Sequence, residues 1–313
     1  MLTTHALILI SALALDLLFG EPPNRVHPVV WMGRWIAWGE SRLERDERRH
    51  APPARLWVAF SAGTGIVLVG AAFVSMVALA SAALQSVDYL LYILVSAWLL
   101  KTTFAVRALA QAARAVQSAL RDGNLLEARR LLAWHLVSRD TTTLDERLIV
   151  AATIESVAEN FGDGIVAPLF YFALFGLPGA LVYRFANTAD AMLGYRDARR
   201  EYLGKFAARL DDLINLAPSR LAAILLSFGA AVSGASSAGA WRIAWRDHAR
   251  TASPNAGWPM SAMAGALDVT LVKVGYYALG DGDGALDAAA ITRSLRVMAA
   301  ASALGVVFVV GII

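Results

Sequence analysis

Four polar clusters interrupt an otherwise apolar chain. Each holds residue types that bind cations, phosphates or carboxylates. The first is Glu155-Ser-Val-Ala-Glu159-Asn160-Phe-Gly-Asp163-Gly164. Glu155 and Glu159 stand four residues apart, on one helix face, and repel unless a cation or a basic group joins them. Asp163 sits between glycines, where a backbone can approach a ligand closely. Carboxylates on a helix end and its adjoining turn suit Mg²⁺, which takes one or two of them together with phosphate oxygens. A solvated helix end is the bland alternative.

The second cluster runs from Tyr183 and Arg184 through Asn187, Thr188, Asp190, Gly194, Tyr195 and Arg196. It continues with Gly204-Lys205 and Arg209-Leu-Asp211-Asp212, then Asn215, Pro218 and Arg220. Asn187, Asp190 and Gly194 share one helical stripe, and Arg209, Asp212 and Asn215 share another. Two such helices can hold metal, phosphate and carboxylate together, or form a polar seam between membrane helices; spacing supports both equally. The third cluster is Asp16…Gly20-Glu21-Pro-Pro-Asn-Arg-Val-His27-Pro28. An aspartate near the end of a membrane helix is costly unless paired or functional, although water at a helix end also satisfies it. The Pro-rich turn fixes Glu21 and His27 at the interface. His27 is an acid/base candidate, though a lone histidine is more often structural. In the fourth cluster, Asp247-His248-Ala-Arg250 precedes Ser253-Pro-Asn255-Ala-Gly257, a turn by its chemistry. Arg250 and the turn amides can bind an anion, and a plain loop is the equal alternative. Trp241, Trp245 and Trp258 lie in or beside this block. Asp281-Gly-Asp283 resembles a calcium loop but lacks the glycine at position six and the acid at position twelve, so it reads as a flexible exposed turn. No Walker A, Rossmann glycine signature or nucleophile elbow occurs, and the absence of cysteine excludes thiolate chemistry.

The elements that position these clusters are membrane helices. Of 313 residues, 58% are hydrophobic and 17% charged, against about 25% charged in soluble domains. The net charge of +3 is too small to indicate nucleic acid. All 28 Lys and Arg fall in four windows: 20–55, 101–163, 184–220 and 241–296. The positive-inside rule reads these as cytoplasmic. Apolar segments lie at 2–19, 56–87, 89–100, 164–183, 221–240 and 297–313. The first reads as an uncleaved helix, because it lacks a basic leader region and a small-residue cleavage site. Segments 56–87 and 89–100 read as a helical hairpin turning near Ser86–Asp88. Residues 31–49 place Trp31, Trp35 and Trp38 on one face of an interfacial helix, or over core. Residues 121–147 read as soluble helices, with Asn124 as a cap and Thr143 and Glu146 as a capping box. The expected fold is all-α: one polytopic membrane-embedded domain over 1–313, with broken or re-entrant helices and cytoplasmic helical loops. A parity conflict sharpens this. Windows 101–163 and 184–220 are both basic, yet one apolar run separates them. Either that run, broken by Pro168 and Gly176-Leu-Pro178-Gly179, is re-entrant, or residues 148–183 cross twice.

The ordered blocks resemble the CobD/CbiB family of cobalamin biosynthesis, the membrane-bound adenosylcobinamide-phosphate synthases. They are Asp16…Gly20-Glu-Pro-Pro…His27-Pro28, Arg139-Asp140-Thr141, Glu155…Glu159-Asn160…Asp163-Gly164…Pro168, Asn187-Thr188-Ala-Asp190…Gly194, Ala208-Arg209-Leu-Asp211-Asp212…Asn215…Pro218…Arg220 and Ser253-Pro-Asn-Ala-Gly257. The resemblance covers about residues 10–296. One departure is Asp268, after Gly265-Ala-Leu, where glycine is expected. A distant branch is linked to β-lactamase regulation, and the Ser253–Gly257 block favours the synthase.

The resemblance implies ATP-dependent joining of a carboxyl group of adenosylcobyric acid to the amine of aminopropanol phosphate or ethanolamine phosphate. An acyl phosphate is the economical intermediate. Glu159, Asp163, Asp190, Asp212 and His27 are then the candidate catalytic groups, with Asp163 and Asp190 as Mg²⁺ ligands. Arg184, Lys205, Arg209 and Arg250 are candidates for phosphate or corrin carboxylate. Asn160, Asn187, Asn215 and Asn255 are candidates for orienting substrate. The corrinoid suits a cleft near Trp31, Trp35 and Trp38, or near Trp241, Trp245 and Trp258. The expected setting is the inner (plasma) membrane with the active face cytoplasmic, as a homo-oligomer or with neighbouring pathway enzymes. The rival reading is a transporter or corrinoid-binding membrane protein without ligase chemistry.

Overall fold

The computed structural model describes residues 3–47, 52–194 and 201–313. It is helical almost throughout, as the composition predicts. In chain order the elements are α1 (Thr4–Phe19), α2 (Pro28–Glu47), α3 (Pro52–Ala83), α4 (Tyr89–Lys101), α5 (Val106–Arg121), α6 (Leu125–His135) and α7 (Glu146–Phe161). After a π-helical turn at Gly162–Val166 come α8 (Ala167–Leu193), α9 (Lys205–Ile214), α10 (Leu216–Val232), α11 (Ser237–Asp247) and α12 (Gly257–Leu267). Strands β1 (Leu271–Lys273) and β2 (Tyr277–Leu279) and helix α13 (Ala288–Ile312) complete the described chain. Among the described residues, five helical stretches are long and apolar enough to cross a membrane: Leu56–Ser86, Tyr89–Arg121, Glu146–Leu193, Leu216–Ser233 and Ala288–Ile312. On α3, Leu68, Val69, Phe73, Met76 and Leu79 are each more than half exposed. A continuous apolar surface of that kind faces lipid more comfortably than water.

The chain forms two compact units. The first comprises residues 1–105 and 168–215, with Ile313. Here α1 packs on α4, α2 on α3, and α3 on α9. The α3–α4 hairpin turns at Leu84–Asp88, where the Asp88 carboxylate accepts from the Leu91 N–H at 2.8 Å. Helix α2 opens on Pro28, whose missing N–H costs nothing at a first helical position. Trp31 and Trp38 are half-exposed, while Trp35 donates its indole N–H to the Ile66 carbonyl at 3.1 Å and stacks on Trp38. The basic end of the interfacial helix, at 48–49, lies outside the described residues.

Helix α8 is broken at Gly176, which takes φ 63° and ψ −156°, a region that only glycine enters readily. The rings of Tyr171 and Tyr183 lie 5.3 Å apart and nearly parallel. In a straight helix, twelve residues would separate them by about 18 Å. The chain therefore doubles back at Gly176 and returns toward the side it came from, which removes the parity conflict. The helix also runs on to Leu193, beyond the apolar segment, because Arg184 and Asn187 find partners within the unit. Tyr195 and Arg196 lie outside the described residues.

The second unit comprises residues 106–167 and 216–312. Helix α10 packs on α12 and α13, α11 on α12, and α7 on α12, α13 and β1. Small residues allow these approaches: a methyl group on Gly229 would meet the backbone of Val297 and Ala301, and one on Gly265 would overlap the Gly239 carbonyl.

Three expectations are corrected here. The apolar segment 221–240 is two helices, because Ser233-Gly-Ala-Ser236 makes a turn, with Gly234 at φ 76° and Ser236 capping α11 through the Gly239 N–H. Uncharged turn chemistry is invisible to a count of charges. Asp145, not Thr143, caps α7, accepting from the Leu148 N–H at 2.8 Å. Its negative charge also suits the positive end of the helix. Asn124 caps α6 as expected. The Asp281 turn is pinned: Arg242 grips its carboxylate in two hydrogen bonds, 2.7 and 2.9 Å, and Arg246 adds a third. The two-stranded antiparallel ribbon has no counterpart in the sequence reading; its strands are three residues each, too short for a period-two pattern to register.

Asp268 is the one described non-glycine residue with positive φ, at φ 54° and ψ 49°. This left-handed cap of α12 explains why glycine is expected there. Asp268→Gly should preserve the fold and raise the thermal midpoint slightly. Asp268→Val should cost about 1–2 kcal/mol, read as a lowered midpoint in detergent.

Candidate functional site

In the first unit, α8 and α9 bring most of the second cluster together. Tyr183 is buried, and its hydroxyl donates to Asn215 Oδ1 at 2.9 Å. Asn215 Nδ2 donates to Asp211 Oδ2 at 3.0 Å, and Asn187 Nδ2 donates to Asp211 Oδ1 at 3.3 Å. Arg184 Nη1 reaches Asn187 Oδ1 at 3.4 Å. The result is one continuous polar chain, Arg184–Asn187–Asp211–Asn215–Tyr183. Tyr171, stacked on Tyr183, donates to the Ile214 carbonyl at 2.8 Å and anchors the end of α9. Asp211 sits at the centre. Burial pushes its pKa up; the two amide donors oppose that, and the charge of Asp212 adds to it. The charges of Asp211 and Asp212 also act on Asp190. Arg209 and Lys205 stay exposed at the rim, Arg209 at 3.7 Å from Asp212 and Lys205 over the Tyr202 ring.

A second network in this unit joins α1 to α4. Lys101 and Asp16 are almost completely buried, 3.2 Å apart, and Lys101 also meets Glu21 at 2.7 Å. Glu21 contacts His27 Nε2 at 2.9 Å. His27 Nδ1 accepts from the Val29 N–H, so Nε2 carries the proton that goes to Glu21. Partial burial opposes ionisation of Glu21, but hydrogen bonds from His27 and Lys101 outweigh it and hold its pKa low. Nearby, Pro28, Trp31, Trp35, Val69, Phe73 and Phe185 are among the residues lining a cavity of about 330 Å³ with almost no polar wall. Trp38 lies outside the lining.

In the second unit, Glu155 is buried on α7. Its Oε2 lies 3.7 Å from Arg139 Nη2, and the charges of Lys273 and Glu159 also act on it. Tyr277, paired with Lys273 across the ribbon, has its pKa raised by burial and by both glutamates, so its phenol keeps its proton. Asn160 donates to the Ser156 carbonyl at 2.9 Å. Asp163 lies in the π-helical turn, a form frequent at functional sites. Elsewhere in the unit, Arg220 donates to Asn255 Oδ1 at 3.0 Å and lies over the Trp258 ring. Trp241, Trp245, Trp258 and His248 form an aromatic stack beside it. Arg250 is committed to buried Asp247 at 3.1 Å and to the Ala278 carbonyl at 3.0 Å.

A profile of the CobD/Cbib protein family matches residues 9–298. The chain belongs to this family. It is 43% identical to "Cobalamin biosynthesis protein CobD" of Dehalococcoides mccartyi, over 98% of this chain and 97% of the relative. It is 39% identical to "Probable cobalamin biosynthesis protein CobD" of Methanothermobacter thermautotrophicus, over 97% and 98%. It is 38% identical to "Cobalamin biosynthesis protein CobD" of Klebsiella pneumoniae, over 95% and 94%. No solved structure matches.

Within this CobD/Cbib chain the candidate residues are therefore divided. Arg184, Asn187, Asp190, Asp212 and Asn215 gather in the first unit, with His27 in its own network. Glu159, Asn160, Asp163, Arg250 and Asn255 belong to the second. Spacing singled out Asp212, whereas Asp211 carries the hydrogen bonds; its position four residues before Asn215 was the available signal. Lys273 and Tyr277 were missed altogether. A lone lysine in a weakly patterned stretch gives no periodic signal, and only the ribbon brings it to α7.

Two stability predictions follow from these networks. Asn215→Ala strands the Tyr183 hydroxyl and half of the Asp211 pairing, and should cost about 1–3 kcal/mol in chemical unfolding. Lys101→Met leaves Asp16 buried without its cation and should cost about 3–5 kcal/mol. The double variant Asp16→Leu/Lys101→Met should recover much of that loss, and a double variant no better than the single would refute the pairing.

Proposed function

We propose that the chain makes adenosylcobinamide phosphate by joining a carboxyl group of adenosylcobyric acid to the amine of aminopropanol phosphate, or a related phosphorylated amino alcohol, with ATP. The observation that carries this reading is the family match over residues 9–298, which embraces every polar cluster described above. The geometry adds the means to handle anions and protons: guanidinium, amide and carboxylate groups held by hydrogen bonds, with apolar surroundings that strengthen them.

The reaction balances in two steps. The substrate carboxylate attacks the γ-phosphorus of ATP, giving an acyl phosphate and ADP. The amine, having lost a proton to a carboxylate base, attacks the acyl carbon and expels inorganic phosphate as the amide forms. In the first unit, Arg184 and Asn187 are placed to orient an anionic group, and Asn215 holds Asp211 in register. The mutual repulsion of Asp190, Asp211 and Asp212 would be eased by a divalent cation accompanying the nucleotide. Among the described residues no three acidic or histidine groups are arranged as a metal site, so Mg²⁺ here would need phosphate oxygens beside one or two carboxylates. Asp190 is the first candidate in that unit and Asp163 in the other. Bound magnesium would supply charge screening on the phosphates. By the positive-inside rule this chemistry would face the cytoplasm.

Purified protein in nanodiscs, given ATP, adenosylcobyric acid and aminopropanol phosphate, should release adenosylcobinamide phosphate and ADP in equal amounts. Corrinoid movement across liposomes without ATP or amide formation would favour the transporter reading instead. Asp190→Asn and Asp163→Asn should each lower the rate by about 100-fold or more with membrane insertion intact. Full activity in both would remove them from the chemistry.

A further inference from the structure

Glu155 is 5% exposed, and its Oε1 has no hydrogen-bond partner among the described residues. Its other oxygen is 3.7 Å from Arg139, beyond hydrogen-bond length. A buried carboxylate with an unused acceptor is expensive to keep. Two cations stand near it. Arg139 comes from the segment between α6 and α7. Lys273 comes from β1, half-buried over the Tyr276 and Tyr277 rings, with no ion pair within 4 Å among the described residues. Glu159 follows one turn along α7. Tyr277 remains a hydroxyl donor because burial and the two glutamates keep it protonated.

This mixture of charges selects its ligand. A simple cation at Glu155 would also meet Arg139 and Lys273. A simple anion at Lys273 would meet Glu155 and Glu159. A ligand carrying both signs satisfies both sets. An ammonium supplies the donor that Oε1 lacks, and a phosphate suits the guanidinium fork of Arg139 and the point charge of Lys273. We infer that Glu155, Arg139 and Lys273 form the binding site for a small zwitterion, a primary ammonium joined by a short carbon link to a phosphate. The inference rests on the proposed synthase reading, whose amine substrate is of this class. It assigns that substrate to α7 and the ribbon of the second unit.

The test is calorimetric titration of the full chain in detergent with O-phosphoethanolamine, and with ethanolamine and inorganic phosphate as its two halves. The wild type should bind the zwitterion about tenfold or more tighter than either half. Glu155→Gln should weaken phosphoethanolamine about tenfold and leave inorganic phosphate unchanged. Lys273→Met should weaken both. Lys273 is partly exposed on the ribbon, so its variant keeps the test sound even if Glu155→Gln fails to fold. Absence of binding by the wild type, equal affinity for zwitterion and phosphate, or wild-type affinity in Lys273→Met would each overturn the proposal. Amide formation with an unchanged KM for the phosphorylated amine in Lys273→Met would sink the site and leave the synthase reading standing. Binding that depends on Glu155 and Lys273, in a protein that forms no amide, would do the reverse.

Discussion

A charged side chain surrounded by apolar helices persists only when another part of the chain brings it a partner, because removing a charge from water costs several kcal/mol even after relaxation. That constraint organises this molecule. Asp16 and Lys101 lie 85 positions apart and close on each other. Asp247, fully buried, is closed by Arg246, by Arg250 and by the Gly280 N–H. Asp211 is closed by two amides rather than a cation, so it stays polar without being neutralised. Glu155 is the contrast: its nearest cation, Arg139, stands 3.7 Å away, against 3.2 Å between Lys101 and Asp16. Saturated pairs hold helices together, and an unsaturated one has capacity left for a ligand.

The partners can meet only because the backbone lets them. Glycines at Gly239, Gly265 and Gly229 remove the side chains that would hold α10, α11, α12 and α13 apart. Gly176 lets α8 fold back, so that Tyr171 and Tyr183 both grip the end of α9 and fix Asn215 beneath the aspartates. Local backbone freedom and distant polar pairing are thus linked: the reversal at one glycine sets the position of a hydrogen bond thirty-nine residues later.

The helical membrane class, the hairpin at Ser86–Asp88 and the break in α8 were legible in the sequence, because hydropathy, charge and Gly-Pro punctuation report directly on solvent and backbone. The clustering of Arg184, Asn187 and Asp190 with the α9 residues was legible as two stripes. What spacing could not convey was which acid in the pair Asp211-Asp212 faces inward, since adjacent residues differ by about 100° around a helix. The Asp281 turn and the Lys273–Tyr277 ribbon were hidden for a related reason. Their partners, Arg242, Arg246 and Glu155, lie far away in sequence, and no local pattern encodes a tertiary neighbour.

The Asp16–Lys101 pair also bears on how the protein is made. Helix α1 has sixteen residues, short for a membrane crossing, and it carries an aspartate whose cation is encoded 85 residues downstream. At about 5–20 residues per second, synthesis leaves Asp16 waiting on the order of 4–17 s for Lys101. During that interval α1 is best kept at the membrane surface or the mouth of the insertion machinery. Its final burial belongs to the arrival of α4, so α1 leaves the ribosome before α4 but is locked in place only with it.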